Sequence, residues 1–188
     1  MLSSALREAG ALLVFDESKT GFRTHLGGAQ ALYGVAADIT VLSKALANGL
    51  PLAVVLARRQ LIELAQQARI KGTFGAETVS IAAALATVEI LRSMDAPKLL
   101  NQRGAELIEG LSNVIKHLGL QEHVAALPYQ WPCMPYVHFS GEKRGLQDAF
   151  HRGLVDRGVL MLRDHMSYIS LASSSSRREG RPGSRRST

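Results

Sequence analysis

Two short apolar runs, each closed by a residue that carries chemistry, constrain this chain more than any other feature. Ala11-Leu-Leu-Val-Phe15 ends at Asp16-Glu17, and Asp38-Ile-Thr-Val-Leu-Ser43 ends at Lys44. A brief unbroken apolar run is the pattern of a strand buried on both faces, as in a parallel sheet. In such a sheet ligands collect at the carboxyl ends of the strands, where loops and helix starts gather. If both runs are parallel members of one sheet, Asp16 and Lys44 meet over the same rim. Spacing alone leaves the matter open. An acid pair after a strand is also an ordinary solvated strand end, and a lysine there is also an ordinary surface lysine.

The rest of the chain alternates in the same manner. Thr20-Gly-Phe-Arg and Gly27-Gly28 mark a loop, Gly49-Leu-Pro51 a turn, and Leu52-Ala-Val-Val-Leu56 a third strand. Gly49 serves the turn after the lysine. Arg59 to Ile70 has helical spacing in Leu61, Ile62, Leu64 and Ala65. A polar turn, Lys71 to Gly75, leads into an Ala-rich helix from Glu77 to Arg92, expected to be sandwiched in a core or subunit interface. A boundary falls near Met94 to Pro97. Beyond it, Lys98 to Leu118 reads as an amphipathic helix with Leu99, Leu100, Leu107, Ile108, Leu111 and Ile115 on one face. Pro135 to Phe139, Val159 to Leu162 and Tyr168 to Leu171 read as strands, and Leu146 to Arg157 as a helix. The expected organisation is α/β over residues 1–95, a small α+β subdomain over 96–172, and a tail over 173–188.

Charge removes one class of function from the folded body. Of the net charge of +6, four units lie in the last sixteen residues, where Arg177, Arg178, Arg181, Arg185 and Arg186 face the single acid Glu179. That segment is Ser/Arg-rich and has no apolar period, so a disordered tail is expected. It could touch phosphates non-specifically, but it has no aromatic residue on which a base could stack. No specific nucleic-acid partner is expected. No apolar run approaches the ~20 residues of a membrane-spanning helix, and the start shows no secretory pattern. The single Cys133, an inert thiol set among prolines, fits a reducing compartment, and a cytoplasmic location is expected. The six histidines show no ligand spacing, so no metal site is expected.

A carboxylate and an amine over one sheet rim are the pair that pyridoxal phosphate chemistry requires. The cofactor's aldehyde condenses with a lysine amine, and its ring nitrogen must stay protonated to draw electrons from the substrate carbon. A carboxylate against that nitrogen holds the proton by charge pairing. The lysine amine can also serve as a general base, since desolvation lowers its pKa.

The surrounding residues give this pair a context. Leu12-Leu-Val-Phe-Asp-Glu17, Thr20-Gly-Phe-Arg23, Gly27-Gly-Ala-Gln30, Tyr33-Gly-Val35 and Asp38-Ile-Thr-Val-Leu-Ser-Lys44-Ala-Leu-Ala-Asn-Gly-Leu-Pro51 follow in that order. Together they resemble the lysine-site signature of class III, fold-type I pyridoxal-phosphate-dependent aminotransferases. The Gly-Gly-Ala-Gln and Tyr-Gly-Val pieces are most similar to the glutamate-1-semialdehyde 2,1-aminomutase branch, as is Gly72-Thr-Phe-Gly-Ala-Glu77. The resemblance runs from about Ala11 to Ala172.

The resemblance implies that Lys44 carries the cofactor and acts as base. It also implies that Asp16 partners the ring nitrogen, and that Thr73 donates a hydroxyl to the cofactor phosphate of a neighbouring subunit. A homodimer follows from that last role. Thr73 also reads as a helix N-cap, and the two roles are compatible. Glu17 is implied to bond its loop, and Gln30 is given no contact with the cofactor. Arg163 could meet a substrate carboxylate in a bidentate pair, or be an ordinary surface arginine.

The implied activity is transamination of a small amino donor and acceptor, or the intramolecular shift of an amino group in a semialdehyde. The chain departs from the family pattern in matching only its C-terminal portion. The preceding part, half the large domain with the phosphate cradle and the ring-stacking aromatic, is absent. Ser18 and Lys19 replace small or aliphatic residues, and a Ser/Arg tail stands where a closing helix belongs. The expected fold is therefore an incomplete large domain followed by a small α+β subdomain, associating or unstable alone. The alternatives are a catalytically inactive fragment and a basic-tailed nucleic-acid binder.

Overall fold

The first apolar run becomes β1 (Val14–Asp16) and the second becomes β2 (Ile39–Leu42). The chain is described here from a computed structural model, which covers residues 2–69, 72, 74–75, 77–141 and 144–173. β1 pairs parallel with β2 in the register Val14↔Ile39, Phe15↔Thr40 and Asp16↔Val41. Parallel neighbours need a crossover, supplied by a loop and the short helix α2 (Gly28–Tyr33). α2 stops at Gly34, whose φ of 63° suits a residue without Cβ. β3 (Val54–Ala57) returns antiparallel on the other side of β2, giving the order β1-β2-β3.

Helices α1 (Leu2–Glu8) and α3 (Arg59–Gln67) flank these strands in sequence. α4 (Thr78–Ser93) begins at Glu77, whose carboxylate accepts from the N–H groups of Val79 (2.7 Å) and Ser80 (2.6 Å). Those bonds satisfy two of the donors a helix start leaves open. The N-cap is therefore Glu77.

The chain divides into two compact units, Met1–Leu99 and Leu100–Thr188. The division falls inside α5 (Ala96–His117). In the first unit the buried apolar cluster is Leu46, Ala47 and Ala84, with Phe22, Leu42, Leu52, Val54 and Val88 packed on it. Within the single chain only Ser80 and Ala84 are buried on α4, and Leu85 is 70% exposed, so its own unit covers little of this helix. The turn after Lys44 packs against α4, with Leu52 and Val54 on the same cluster, so one narrow stripe of the helix is covered. The strands share this exposure, with Val14 51% and Val55 56% exposed. A cleft of about 950 Å³ runs between Leu52–Val55 and the Ile81, Leu85, Val88 side of α4.

The second unit pairs β4 (Val124–Pro128) antiparallel with β5 (Pro135–Phe139), and α6 (Arg144–Val155) follows. Its core is Leu100, Cys133, Met134 and Ile169, bordered by Trp131, Met166, Tyr168 and Leu171. Gly104 of α5 is buried because a Cβ there would strike the Pro132 carbonyl and sit 2.8 Å from the Cys133 nitrogen. Val159–Leu162 and Tyr168–Leu171 are not strands. At the latter segment Ser167 N–H donates to the Pro135 carbonyl (2.8 Å) and Ile169 N–H to the Cys133 carbonyl (3.1 Å), which holds it against the Cys133–Pro135 backbone. Leu107, expected on the packed face of α5, is 40% exposed. The tail, apart from Ser173, lies outside the described residues. No helix among the described residues is long and apolar enough to cross a membrane.

Candidate active site

The parallel pairing of β1 and β2 brings Asp16 and Lys44 to one rim. Asp16 closes β1 opposite Val41, and Lys44 lies three positions beyond Val41, opening a 3-10 turn, Lys44–Leu46. Both side chains are exposed. Lys44 has φ 45° and is followed by Asn48 at 48° and Gly49 at 108°, so the backbone doubles back sharply here. Ser43 holds the start of this turn: its hydroxyl donates to the Leu52 carbonyl (3.3 Å) and its carbonyl accepts from Leu46 N–H (3.1 Å).

The Asp16 carboxyl is held below its ordinary 3.8, first by hydrogen bonds from the Ser18 side chain and N–H and then by attraction to Lys44. The Ser18 N–H bond measures 2.9 Å. Asp16 is therefore a carboxylate at neutral pH, facing a rim with an amine within electrostatic reach.

Glu17, only 2% exposed, turns inward from the same strand end. Its carboxylate accepts from the Thr20 hydroxyl (2.9 Å) and from the Ala29 N–H at the start of α2. A carboxylate this buried must be hydrogen-bonded to be tolerated. The two glycines beside it have clear reasons. A Cβ on Gly28 (φ 67°) would collide with the Glu17 carboxylate, and one on Gly21 would come within 2.9 Å of the Glu17 carbonyl oxygen. Phe22 takes φ 65°, unusual for a bulky residue, and lands on the Leu46–Ala47 cluster just after Lys44. The loop leaving Asp16 and the turn leaving Lys44 are thus packed together.

Three side chains that the sequence did not mark support this rim. Gln30 donates to the Thr40 hydroxyl (2.9 Å) and accepts from Ala37 N–H (2.9 Å), tying α2 to β2. Asp38 accepts from Leu13 N–H (2.8 Å) and pairs with Arg58 (2.9 Å). Phe22 is the third. Gln30 closes one matched segment, Asp38 opens another and Phe22 lies inside a third, which was their only signal. Thr73 lies outside the described residues. Arg163 belongs to the second unit, where it pairs with Asp148 at 2.6 Å on a surface site. Among the described residues no group of three or more His, Cys, Asp or Glu could hold a metal ion.

Comparison with known proteins adds an independent line. A family model described as aminotransferase class-III matches residues 2–175. A glutamate-1-semialdehyde 2,1-aminomutase from Hyperthermus butylicus is 35% identical over 175 residues, covering 86% of this chain and 40% of the relative. A 3-aminobutyryl-CoA aminotransferase from Cloacimonas acidaminovorans is 31% identical, covering 84% of this chain and 38% of the relative. Among solved structures, the PLP-bearing FumI protein of Sphingopyxis sp. MTA144 superposes with TM-score 0.79 at 26% identity, over 89% of this chain and 40% of that one. A β-phenylalanine aminotransferase from Variovorax paradoxus superposes with TM-score 0.74 at 24% identity, over 93% of this chain and 43% of that one. The chain spans about 40% of the length of the curated relatives it matches.

Proposed function

Because the chain belongs to the class-III aminotransferase family, we propose that it supplies the lysine-bearing rim of a pyridoxal-phosphate enzyme that moves an amino group. The observation that carries this reading is the Asp16–Lys44 pair on one rim of a parallel strand pair. Members of this family use pyridoxal phosphate, which supplies an aldehyde to condense with an amine and a protonated ring that stabilises negative charge on the substrate carbon. The residues present fit it: an exposed primary amine, and an ionised carboxylate within electrostatic reach.

In this reading Lys44 would hold the cofactor covalently, and its amine, once the substrate displaces it, would carry the proton to and from the substrate carbon. Asp16 would keep the ring nitrogen protonated, its own carboxyl lowered chiefly by the Ser18 hydrogen bonds. Glu17 and Phe22 hold the two backbone segments that bear these groups. Thr73, from a second copy, would donate to the cofactor phosphate. The exposed apolar residues of α4 and β3 support a homodimer. The substrates are small amino donors and acceptors. The single cysteine supports a reducing compartment, the cytoplasm.

A second reading, intramolecular amino transfer in a semialdehyde, is supported by Gly27-Gly-Ala-Gln30 and by the 35% identity to an aminomutase. A third is a chain that keeps the fold and no activity. The chain desalted after incubation with pyridoxal phosphate should retain a visible absorbance band that borohydride bleaches. No retained band would refute cofactor binding and favour the third reading. Amino transfer to an external keto acid separates the first reading from the second.

A further inference from the structure

We infer that Asp38 is a positioning residue for the Asp16–Lys44 rim, acting from the opposite end of the sheet by fixing the register of β1 on β2. The inference rests on the reading of that rim as the cofactor site. Only three residue pairs join β1 to β2, from Val14↔Ile39 to Asp16↔Val41. A one-residue slip in a strand moves each side chain by about 3.3 Å and turns it to the other face. Such a slip would take the Asp16 carboxylate away from Lys44. The apolar pattern does little to forbid it. Val14, Phe15, Ile39 and Val41 are all apolar, and Val14 is half exposed, so burial does not strongly prefer one register.

Asp38 supplies what the pattern lacks. Its side chain is 13% exposed, with one oxygen accepting from Leu13 N–H and the other paired with the Arg58 guanidinium. Its own N–H donates to the Leu13 carbonyl (2.8 Å), and its carbonyl accepts from Arg58 N–H (3.3 Å). Leu13 immediately precedes β1, Asp38 immediately precedes β2, and Arg58 immediately follows β3. One residue therefore clamps the flanks of all three strands at the end away from Lys44. In a slipped pair the carboxylate would lose the Leu13 N–H while remaining largely buried, a costly state for a charged acceptor. Glu17–Ala29 and Gln30–Thr40 also connect the strands, but indirectly, through α2.

Paired cysteines in a Cys133→Ser background read the register directly. Val14→Cys with Ile39→Cys reports the observed register, and Phe15→Cys with Ile39→Cys reports a slip. With Asp38 intact only the first pair should oxidise to a disulfide. Asp38→Ala should lower the ratio of the first product to the second by about tenfold, the scale of a lost hydrogen bond to a charged group. Asp38→Asn, which keeps an oxygen for Leu13, should restore most of that ratio. Arg58→Gln, which spares the Leu13 bond, should lower it less and serves if the alanine variant fails to fold. In the native-cysteine chain, pyridoxal phosphate fixed on Lys44 by borohydride should fall with Asp38→Ala and recover with Asp38→Asn. An unchanged cross-link ratio in every Asp38 and Arg58 variant would overturn the clamp. A slipped register with undiminished Lys44 labelling would overturn the positioning role. Absence of label on Lys44 in the parent chain, with the register still dependent on Asp38, would instead bring down the reading of the site.

Discussion

The two units solve the problem of holding a shape in different ways. In the second, the core residues Leu100, Cys133, Met134 and Ile169 are buried, Met134 to 2% exposure, and packing carries the fold. In the first, the buried apolar cluster is small, while Leu85, Val55 and Val14 stand open. There the backbone around the candidate site is set by polar bonds: Glu17 to Ala29 and Thr20, Gln30 to Thr40 and Ala37, Asp38 to Leu13 and Arg58. The hydrophobic driving force is non-directional, whereas hydrogen bonds fix distance and angle. The unit that holds the candidate site relies on hydrogen bonds where its buried apolar cluster is small.

The sharpest way to break this contrast is a pair of truncations. Met134→Ala should destabilise the second unit by about 2–5 kcal/mol, as removal of a buried large side chain does. Leu85→Ser, on the open side of α4, should change stability by less than about 0.5 kcal/mol and should reduce self-association in light scattering. Equal losses in urea melts would show that Leu85 contributes as much as a buried core residue, and the contrast between the units would fail.

Glu17→Ala should come next in size. It strips the acceptor from Ala29 N–H and the Thr20 hydroxyl, at a cost of about 1–3 kcal/mol for polar groups left unsatisfied. Hydrogen exchange at Ala29 should rise with it. Unchanged protection there would mean that packing, not the carboxylate, holds α2.

The smallest expected effect is in acid. Glu77 is held below its ordinary 4.5 by hydrogen bonds from the Ser80 side chain and N–H and from Val79 N–H. A depressed folded-state value means the cap's contribution is complete above 4.5 and is lost as pH falls through the folded value. The start of α4 should therefore fray on acidification below that range, and Glu77→Gln should flatten this part of the pH profile. A profile identical in parent and variant would remove the cap from the account.

Much of this arrangement is legible in the residues themselves, and the exceptions share a cause. β1, β2 and β3 follow from short apolar runs, and α3, α4, α5 and α6 from helical spacing and Ala content, because those signals are local. α1, α2 and β4 carry weaker ones: α2 has six residues, and Val124-Ala-Ala-Leu-Pro128 lacks the branched and aromatic residues that mark strands. The apolar surface of α4 is legible too, but whether its own unit or a second copy covers it is not written in the helix's sequence. At the site, Asp16 and Lys44 are visible because they end strands. Gln30, Asp38 and Phe22 are not, since their partners lie 10, 25 and more than 20 positions away and only folding brings them together.

The central claim is that one rim joins Asp16 to a cofactor-bearing Lys44, and peptide mapping tests it most directly. The full chain is incubated with pyridoxal phosphate, reduced with borohydride and digested, and the labelled peptides are sequenced. The account predicts the label on Lys44, retained for the most part in Asp16→Asn because the covalent contact survives the loss of charge. A label on Lys71 or Lys98 with none on Lys44 would contradict it.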